Sequence, residues 1–390
     1  MSIPDSLFEE IAREFGTPVY VYDLDWIRER LEVLRAVLPD AWIRYAVKAN
    51  AATAVLELLA ARQGTGAEAI TVGELNRALR AGIDAGEILV GGPAQPPELR
   101  QLAVDSGTAL VSLDSPSQWD DWQQTLAVTD RRGPDFLVRV NPGLDPQTHR
   151  HLATGSADSK FGILPQEAGT LAERVKESGR FRGFHVHAGS QIGELAVFSG
   201  VLEVLGPLYD AHGGDILDIG GGYRVPDFPL EEYADLTGGF ARARGLQLII
   251  EPGRWLVAGA GTLLSRILHV KPGATTHVIA DAGMADLIRP ALYDAEHDIR
   301  ILGDVADRQQ QTVDVDGPLC ENSDRLGRGV SLPAPHKGDL LAVADAGAYG
   351  MGMASNYASN LRPAEVVVAG GQARAARRRE QPDDLTALEL

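Results

Sequence analysis

Disulfide chemistry is closed to this chain: Cys320 is the one cysteine in 390 residues. No internal bridge can form, and nothing suggests an oxidising compartment. Basic residues are also in short supply. Lys and Arg total 36 against 54 Asp and Glu, a formal charge of −18. That imbalance argues against nucleic acid or an anionic membrane as the main partner, because the mean field repels both. A few local cations can still hold an anionic ligand. No apolar run approaches the ~18–20 residues that span a bilayer. Residues 1–15 carry Asp5, Glu9, Glu10 and Glu14 where a signal peptide has a basic and then an apolar stretch. The expected compartment is the cytoplasm. The Cys/His spacings of structural zinc sites are missing, and so are HExxH, a GxGxxG after the first strand, a low-complexity linker and an internal repeat.

What is present is an ordinary globular composition, 44% hydrophobic and 23% charged. A chain of this length buries a large core without staples. Short apolar runs at 42–47, 66–70, 87–90, 109–113, 135–140, 183–187, 215–219 and 246–251 read as strands. Helical apolar spacing falls between them at 54–63, 72–81, 97–104, 167–177, 195–209 and 231–244. Such alternation implies a parallel sheet, and eight units over about 210 residues fit a (β/α)₈ TIM barrel better than an open doubly wound sheet. From about Trp255 the texture changes to short β-like runs at 276–280, 311–315, 340–343 and 365–369, separated by turns. The segment PVYVY at 18–22 is a further strand that can join this C-terminal sheet. The expected organisation is a barrel over 25–254, with 1–24 and 255–390 forming an all-β domain. Arg377–Arg379 with Glu380, Asp383 and Asp384 reads as a solvated terminal helix or tail.

Barrel active sites lie at the C-terminal strand ends. The first strand runs into Lys48, within YAVKAN. A lysine there either snorkels to solvent or serves as a Schiff-base amine made easier to deprotonate by partial burial. The sixth strand carries His185 and His187 two residues apart, on one face. With His149 and His151 they raise a zinc reading, which the missing ligand spacings disfavour. Gly189 and Ser190 follow, and suit an anion. The seventh strand ends in Asp218 and then Gly220, Gly221 and Gly222, either a tight turn or a phosphate cradle at the usual phosphate position of such barrels. The eighth ends in Glu251, Gly253 and Arg254. A lysine, a phosphate cradle and a carboxylate in one mouth suggest pyridoxal 5′-phosphate, with Glu251 keeping the pyridine nitrogen protonated so that the ring becomes a strong electron sink. An arginine in that place would favour racemisation instead.

The motifs resemble, over nearly the whole chain and in family order, the fold-type III pyridoxal-phosphate-dependent decarboxylases, and most closely those acting on meso-2,6-diaminopimelate. The matching stretches are YAVKAN (45–50), RVNPG, THRHLATG and SKFGI (139–163), HAGSQ (187–191) and DIGGG (218–222). EPGR (251–254), DAGMADLIRPALYDAEH (281–297), GPLCE (317–321), GAYG (347–350) and RPAEV (362–366) complete the set. The resemblance implies Lys48 as the Schiff-base lysine and His187 stacked on the cofactor ring. It implies that Ser190, Gly220, Gly221, Gly222, Gly253 and Arg254 hold the phosphate, with Glu251 at the pyridine nitrogen and Tyr349 near cofactor and substrate. It further implies a homodimer with shared sites, Cys320 crossing from the partner subunit as proton donor. Pro93 and Gln95 stand where the family more often has asparagine and lysine, Asn322 alters the commoner CESGD, and Ala358 follows Tyr357 where asparagine is usual.

A substrate with an amino-acid group at each end needs its unreactive end read by fixed charges. Arg289 and Tyr293, helped by Arg254, match the family's pair for the distal carboxylate, and Glu321 its group for the distal ammonium. Ornithine or lysine would leave Arg289 unpaired, and a site built for a polar group rejects an analogue lacking it by roughly 10⁴-fold. The expected activity is decarboxylation of meso-2,6-diaminopimelate to L-lysine, the last step of lysine biosynthesis. Three alternatives remain: a decarboxylase for ornithine, arginine, carboxynorspermidine or carrier-bound glutamate; an amino-acid racemase, which Glu251 disfavours; and a non-catalytic regulatory homologue, which should have lost Lys48 or the glycine cradle.

Overall fold

The computed structural model describes residues 3–143 and 159–390. THRHLATG, with His149 and His151, lies outside them. The chain divides into two units, Leu31–Trp255 and Met1–Arg30 with Leu256–Leu390.

The first unit is a closed parallel barrel of eight strands, β2 to β9. They are β2 Trp42–Ala46, β3 Thr65–Ala69, β4 Ile88–Val90, β5 Leu110–Leu113, β6 Asp135–Arg139, β7 Phe181–His185, β8 Ile216–Asp218 and β9 Gln247–Ile250. The ring closes where β9 pairs with β2, Ile249 and Ile250 opposite Trp42 and Ile43. A barrel forms because these runs are apolar on both faces, and a strand buried on both faces needs helices outside and side chains within. Inside, Leu89, Leu110, Leu137, Ile216 and Ile249 make one buried cluster. Each such side chain contributes on the order of 1.5–3 kcal/mol through its burial. The helices Val72–Arg80 and Pro116–Ala127 begin on side-chain caps. Thr71 Oγ1 accepts the Glu74 N–H at 3.1 Å, and Ser115 Oγ that of Gln118 at 3.3 Å. The helix opened by Ser115, Pro116–Ala127, has no counterpart in the sequence reading. Its sequence, PSQWDDWQQTLA, buries little but Trp119 and Trp122, which pack edge-on against Phe136 at 5.1 and 5.4 Å. Two indoles replace the usual apolar stripe there, so periodicity is weak.

The second unit is built on a nine-stranded sheet. Its central strand is β1, Val19–Asp23, fully buried, antiparallel to β10 (Gly261–Lys271) and parallel to β16 (Ala364–Ala369). The others are β11 Thr276–Ala280, β12 Ile299–Ile301, β13 Gln310–Asp316, β14 Arg325–Pro333, β15 Leu340–Val343 and β17 Gln372–Arg377. An amphipathic helix, Asp5–Phe15, lays Phe8, Ile11 and Ala12 on Val19, Val21, Leu264 and Val366. Thus the stretch ahead of β1 adds a helix to what sequence pattern reads as an all-β domain. Among the described residues no helix is long and apolar enough to cross a membrane.

The C-terminal segment does end in a short exposed helix, Pro382–Thr386, but Arg379 and Glu380 ahead of it are tied down. Arg379 donates to the Pro18 carbonyl at 2.7 Å, and Glu380 is buried. Burial pushes the Glu380 carboxyl up, but hydrogen bonds from the Arg362 side chain and N–H and from Asn356 more than offset this and leave it at about 2. A carboxylate lowered on folding stabilises above its unfolded value, ~4.3, and that gain is lost as pH falls toward the folded one. Between pH about 4.5 and 2, the melting temperature of wild type should therefore fall more steeply than that of Glu380→Gln, the two converging at the acid end.

Candidate active site

Each barrel strand delivers its last residues to one rim. After β2 the chain makes a tight turn at Val47–Ala49, held by Tyr45 donating its hydroxyl to the Asn50 carbonyl at 3.0 Å and by Asn50 Oδ1 accepting the Ala52 N–H at 2.9 Å. The turn carries Lys48, whose Nζ sits 2.9 Å from Oε2 of Glu68, a buried carboxylate of β3. Lys48 is a third exposed. An ammonium at a rim with a buried counter-ion is neither a snorkelling surface lysine nor a sealed one.

Beyond β7, His187 lies over the loop that follows β8. Its Nδ1 accepts the Gly221 N–H at 3.3 Å. The loop of Gly220, Gly221 and Gly222 requires glycine. A Cβ on Gly221 would lie 2.1 Å from the Glu251 carbonyl oxygen, and one on Gly222 would lie 2.1 Å from that of Gly189. Gly222 also has φ 93, where side chains are rare. Backbone packed this closely admits no side chain, and a loop of bare backbone is what a phosphate cradle needs. Gly253 and Arg254 follow Glu251, and Ser190 is exposed on the neighbouring loop. Those two loops are pinned together by an isolated bridge between Ile192 and Tyr223.

Glu251 is buried, and its Oε1 has no hydrogen-bond partner among the described residues. Beside it stand His185 and Asp218, with one donor atom from each of the three lying within 4.8 Å of the others. Sequence reasoning took His185 as a core histidine or a disfavoured zinc ligand and missed Ser112, whose Oγ is 2.6 Å from His185 Nδ1. Nothing in the local pattern marks a serine mid-strand in β5. The unusual Gln95 proves to be part of the barrel wall. It is buried at φ 44, its amide donating to the Gly92 and Ser112 carbonyls at 3.1 and 2.7 Å and accepting from Trp122 Nε1 at 2.7 Å. A lysine there could not accept the indole hydrogen bond.

The remaining expected site residues belong to the sheet unit. Arg289 and Tyr293 bound one short helix, with Tyr293 exposed. Arg289 Nη1 is 3.2 Å from His297 Nε2, and His297 Nδ1 is 2.7 Å from the Ala344 carbonyl oxygen. Donation to that carbonyl puts the imidazole proton on Nδ1 and leaves Nε2 to accept from Arg289. Cys320 is exposed, and Glu321 Oε1 accepts from the Tyr357 hydroxyl. Their loop is fixed by Asp324, which accepts the Met284 and Leu319 N–H groups at 2.6 Å each. Tyr349 holds a left-handed backbone, φ 55.

Burial, with Lys48 and Arg139 adding, pushes His187 down to about 3, and burial likewise holds His185 well below the ordinary imidazole value. Both rings should stay neutral across about pH 5 to 8, where an ordinary histidine near ~6.5 titrates. In the cofactor-free protein their ring proton resonances, assigned by loss in His185→Gln and His187→Gln, should not move over that range.

Comparison with known proteins places these features in context. Residues 24–258 match the family described as pyridoxal-dependent decarboxylase, pyridoxal binding domain. The chain is 38% identical over 392 residues to the diaminopimelate decarboxylase of Deinococcus radiodurans, covering 100% of both chains. It is 36% identical to that of Zymomonas mobilis, covering 99% of this chain and 95% of the other. The crystal structure of the Helicobacter pylori diaminopimelate decarboxylase complexed with L-lysine superposes with a TM-score of 0.89 at 31% identity, covering 98% of this chain and 99% of that one.

Proposed function

The chain belongs to the diaminopimelate decarboxylases, within the pyridoxal-dependent decarboxylase family, and from that footing we propose which of its groups carry the reaction. The reaction is removal of carbon dioxide from meso-2,6-diaminopimelate to give L-lysine, closing lysine biosynthesis, with pyridoxal 5′-phosphate as cofactor. The observation that supports the residue assignments most directly is the buried Glu251 carboxyl, one oxygen without a hydrogen-bond partner among the described residues, at the same rim as Lys48 and the glycine cradle. A ring nitrogen, an aldehyde and a phosphate are the three handles of this cofactor, and those three features answer them.

Bound there, pyridoxal phosphate supplies an electron sink for the carbanion left when carbon dioxide departs. Lys48 is the attachment point, and Glu68 holds its ammonium when it is not engaged. His187, neutral, lies against the ring. Ser190, Gly220, Gly221, Gly222, Gly253 and Arg254 hold the phosphate, and Glu251 holds a proton at the ring nitrogen. Arg289 and Tyr293, with Arg254, bind the distal carboxylate, and Glu321 the distal ammonium, with Tyr349 beside substrate and cofactor. Cys320 of the partner subunit returns a proton after carbon dioxide leaves, so the active form is a homodimer with shared sites. A thiol that must remain reduced suits the cytoplasm. Neither nucleic acid nor membrane has a part, in keeping with the acidic charge.

Carbon dioxide release from a panel of diamino acids tests the substrate. Wild type should favour meso-diaminopimelate over L-ornithine, and Arg289→Ala should lower kcat/KM for the former by about 2–5 kcal/mol of transition-state binding, as when a buried charge pair is broken. The loss should be much smaller with L-ornithine. A preference for ornithine, or equal damage to both, removes Arg289 as the specificity residue and the substrate with it.

Shared sites make a second prediction. Lys48→Ala and Cys320→Ala should each be inactive alone. Mixed under conditions that exchange subunits, they should recover part of the activity, because one hybrid site then receives both native residues. Exchanged dimers without recovery place Lys48 and Cys320 in the same subunit's site.

A further inference from the structure

Two buried groups beneath the rim have no part in the assignments above. His185 and Asp218 stand opposite each other in register on β7 and β8. The next strand, β9, delivers Glu251 beside them. His185 Nε2, Asp218 Oδ2 and Glu251 Oε1 all lack hydrogen-bond partners among the described residues.

Ser112 decides the tautomer of His185. It is fully buried, and its Oγ lies 2.6 Å from His185 Nδ1. A buried hydroxyl proton left without an acceptor costs ~1–3 kcal/mol, so Ser112 donates and Nδ1 accepts. The imidazole proton then lies on Nε2, 3.7 Å from Glu251 Oε2. His185 presents Glu251 with a fixed dipole and no net charge.

Asp218 acts the other way. Its Oδ1 accepts the Gly220 N–H at 2.9 Å, and its carboxyl places an oxygen within 4.8 Å of one on Glu251. Two carboxyl groups close a hydrogen bond only if one bears a proton. The charged groups facing the pair are Glu68, Lys48, Arg139 and Arg44. Each cation among them already has an acid: Lys48 has Glu68 at 2.9 Å, Arg139 has Asp114 at 3.2 Å, and Arg44 has Glu87 at 2.6 Å. Two full negative charges on the pair would stand uncompensated in a buried site, which like-charged neighbours avoid by sharing a proton.

We propose that Asp218 and Glu251 hold one proton between them in the cofactor-free protein, and that Asp218, acting through Glu251, sets how firmly that proton is kept at the pyridine nitrogen once the cofactor binds. Asp218 is thus a positioning residue, and the inference rests on the reading of Glu251 above. On loading, the Glu251 O–H bond breaks and an N–H bond forms at the ring nitrogen, so the pair gives up its proton to the ring and none is exchanged with solvent. Asp218 remains an anion that favours the proton on nitrogen. Burial pushes both carboxyls upward, and their mutual repulsion pushes Glu251 further.

Infrared difference spectra of the full-length protein, stripped of cofactor and reloaded with pyridoxal phosphate, read this proton directly. Wild type should show a protonated-carboxyl carbonyl stretch equivalent to one group per subunit, lost on reloading. Asp218→Asn keeps an acceptor for the Gly220 N–H, removes the charge and turns an amide N–H toward Glu251. In that variant the band should be gone before cofactor is added. No band in wild type, or an unchanged band in Asp218→Asn, overturns the proposal. Should the variant not survive stripping, nitrogen-labelled cofactor in the loaded enzyme gives the same answer by magnetic resonance: the ring nitrogen should lose its proton roughly one pH unit lower, a tenfold weaker hold. An unshifted titration in Asp218→Asn alone overturns the inference, whereas an unshifted one in Glu251→Gln overturns the Glu251 assignment itself.

Discussion

Lysine and glutamate meet at the end of β2, and most of the rim follows from keeping that ion pair. An ammonium near a barrel interior is costly unless matched. Glu68 matches it from the next strand at 2.9 Å. The match has consequences around the ring. Burial, with the charges of Lys48 and Arg139 adding to it, keeps both rim histidines neutral. With Glu68 already used, Asp218 and Glu251 find no spare cation and must settle their charge between themselves. The rim is therefore less a collection of separate catalytic groups than one charge balance, and a substitution at any member is felt by the others.

The sheet unit solves a different problem. Its expected substrate-binding groups sit on loops and on one short helix, Arg289–Tyr293, which carry no ladder to hold them. Asp324 does that for the Cys320 loop by accepting two backbone N–H groups from separate segments. His297 does it for Arg289, its own orientation fixed by the Ala344 carbonyl. Loops that must bind two opposite charges at set positions need such ties, because an untethered arginine loses rotamer freedom on each binding event.

Much of this was legible in the sequence, because parallel barrel strands announce themselves twice, as apolar runs and as the helices between them. Lys48, the residue 220–222 loop and Glu251 stood out because each breaks its strand's apolar pattern at the same end. Ser112 and Gln95 did not. A buried serine looks like any strand residue until its partner, 73 positions away, is known. Gln95 looked like a departure in the site and is a wall residue saturated by Trp122 and two carbonyls. The helix Pro116–Ala127 was hidden by its polar composition. The pairing of Asp218 with Glu251 depends on strand register, which no single-strand pattern encodes.

The register of the central strand also governs how the chain must be made. Val19 of β1 pairs with Ala364 of β16, 345 positions later, and with Leu264 of β10. All five residues of β1 are buried once the sheet is complete. Translation at roughly 5–20 residues per second leaves this apolar strand waiting for tens of seconds, both edges open, while the whole barrel is synthesised behind it. The barrel has every strand it needs by Ile250 and can close first. The sheet unit cannot, so the amphipathic helix Asp5–Phe15 becomes the one early cover available to the strand, and the interval before β16 emerges is when this protein is most exposed to aggregation.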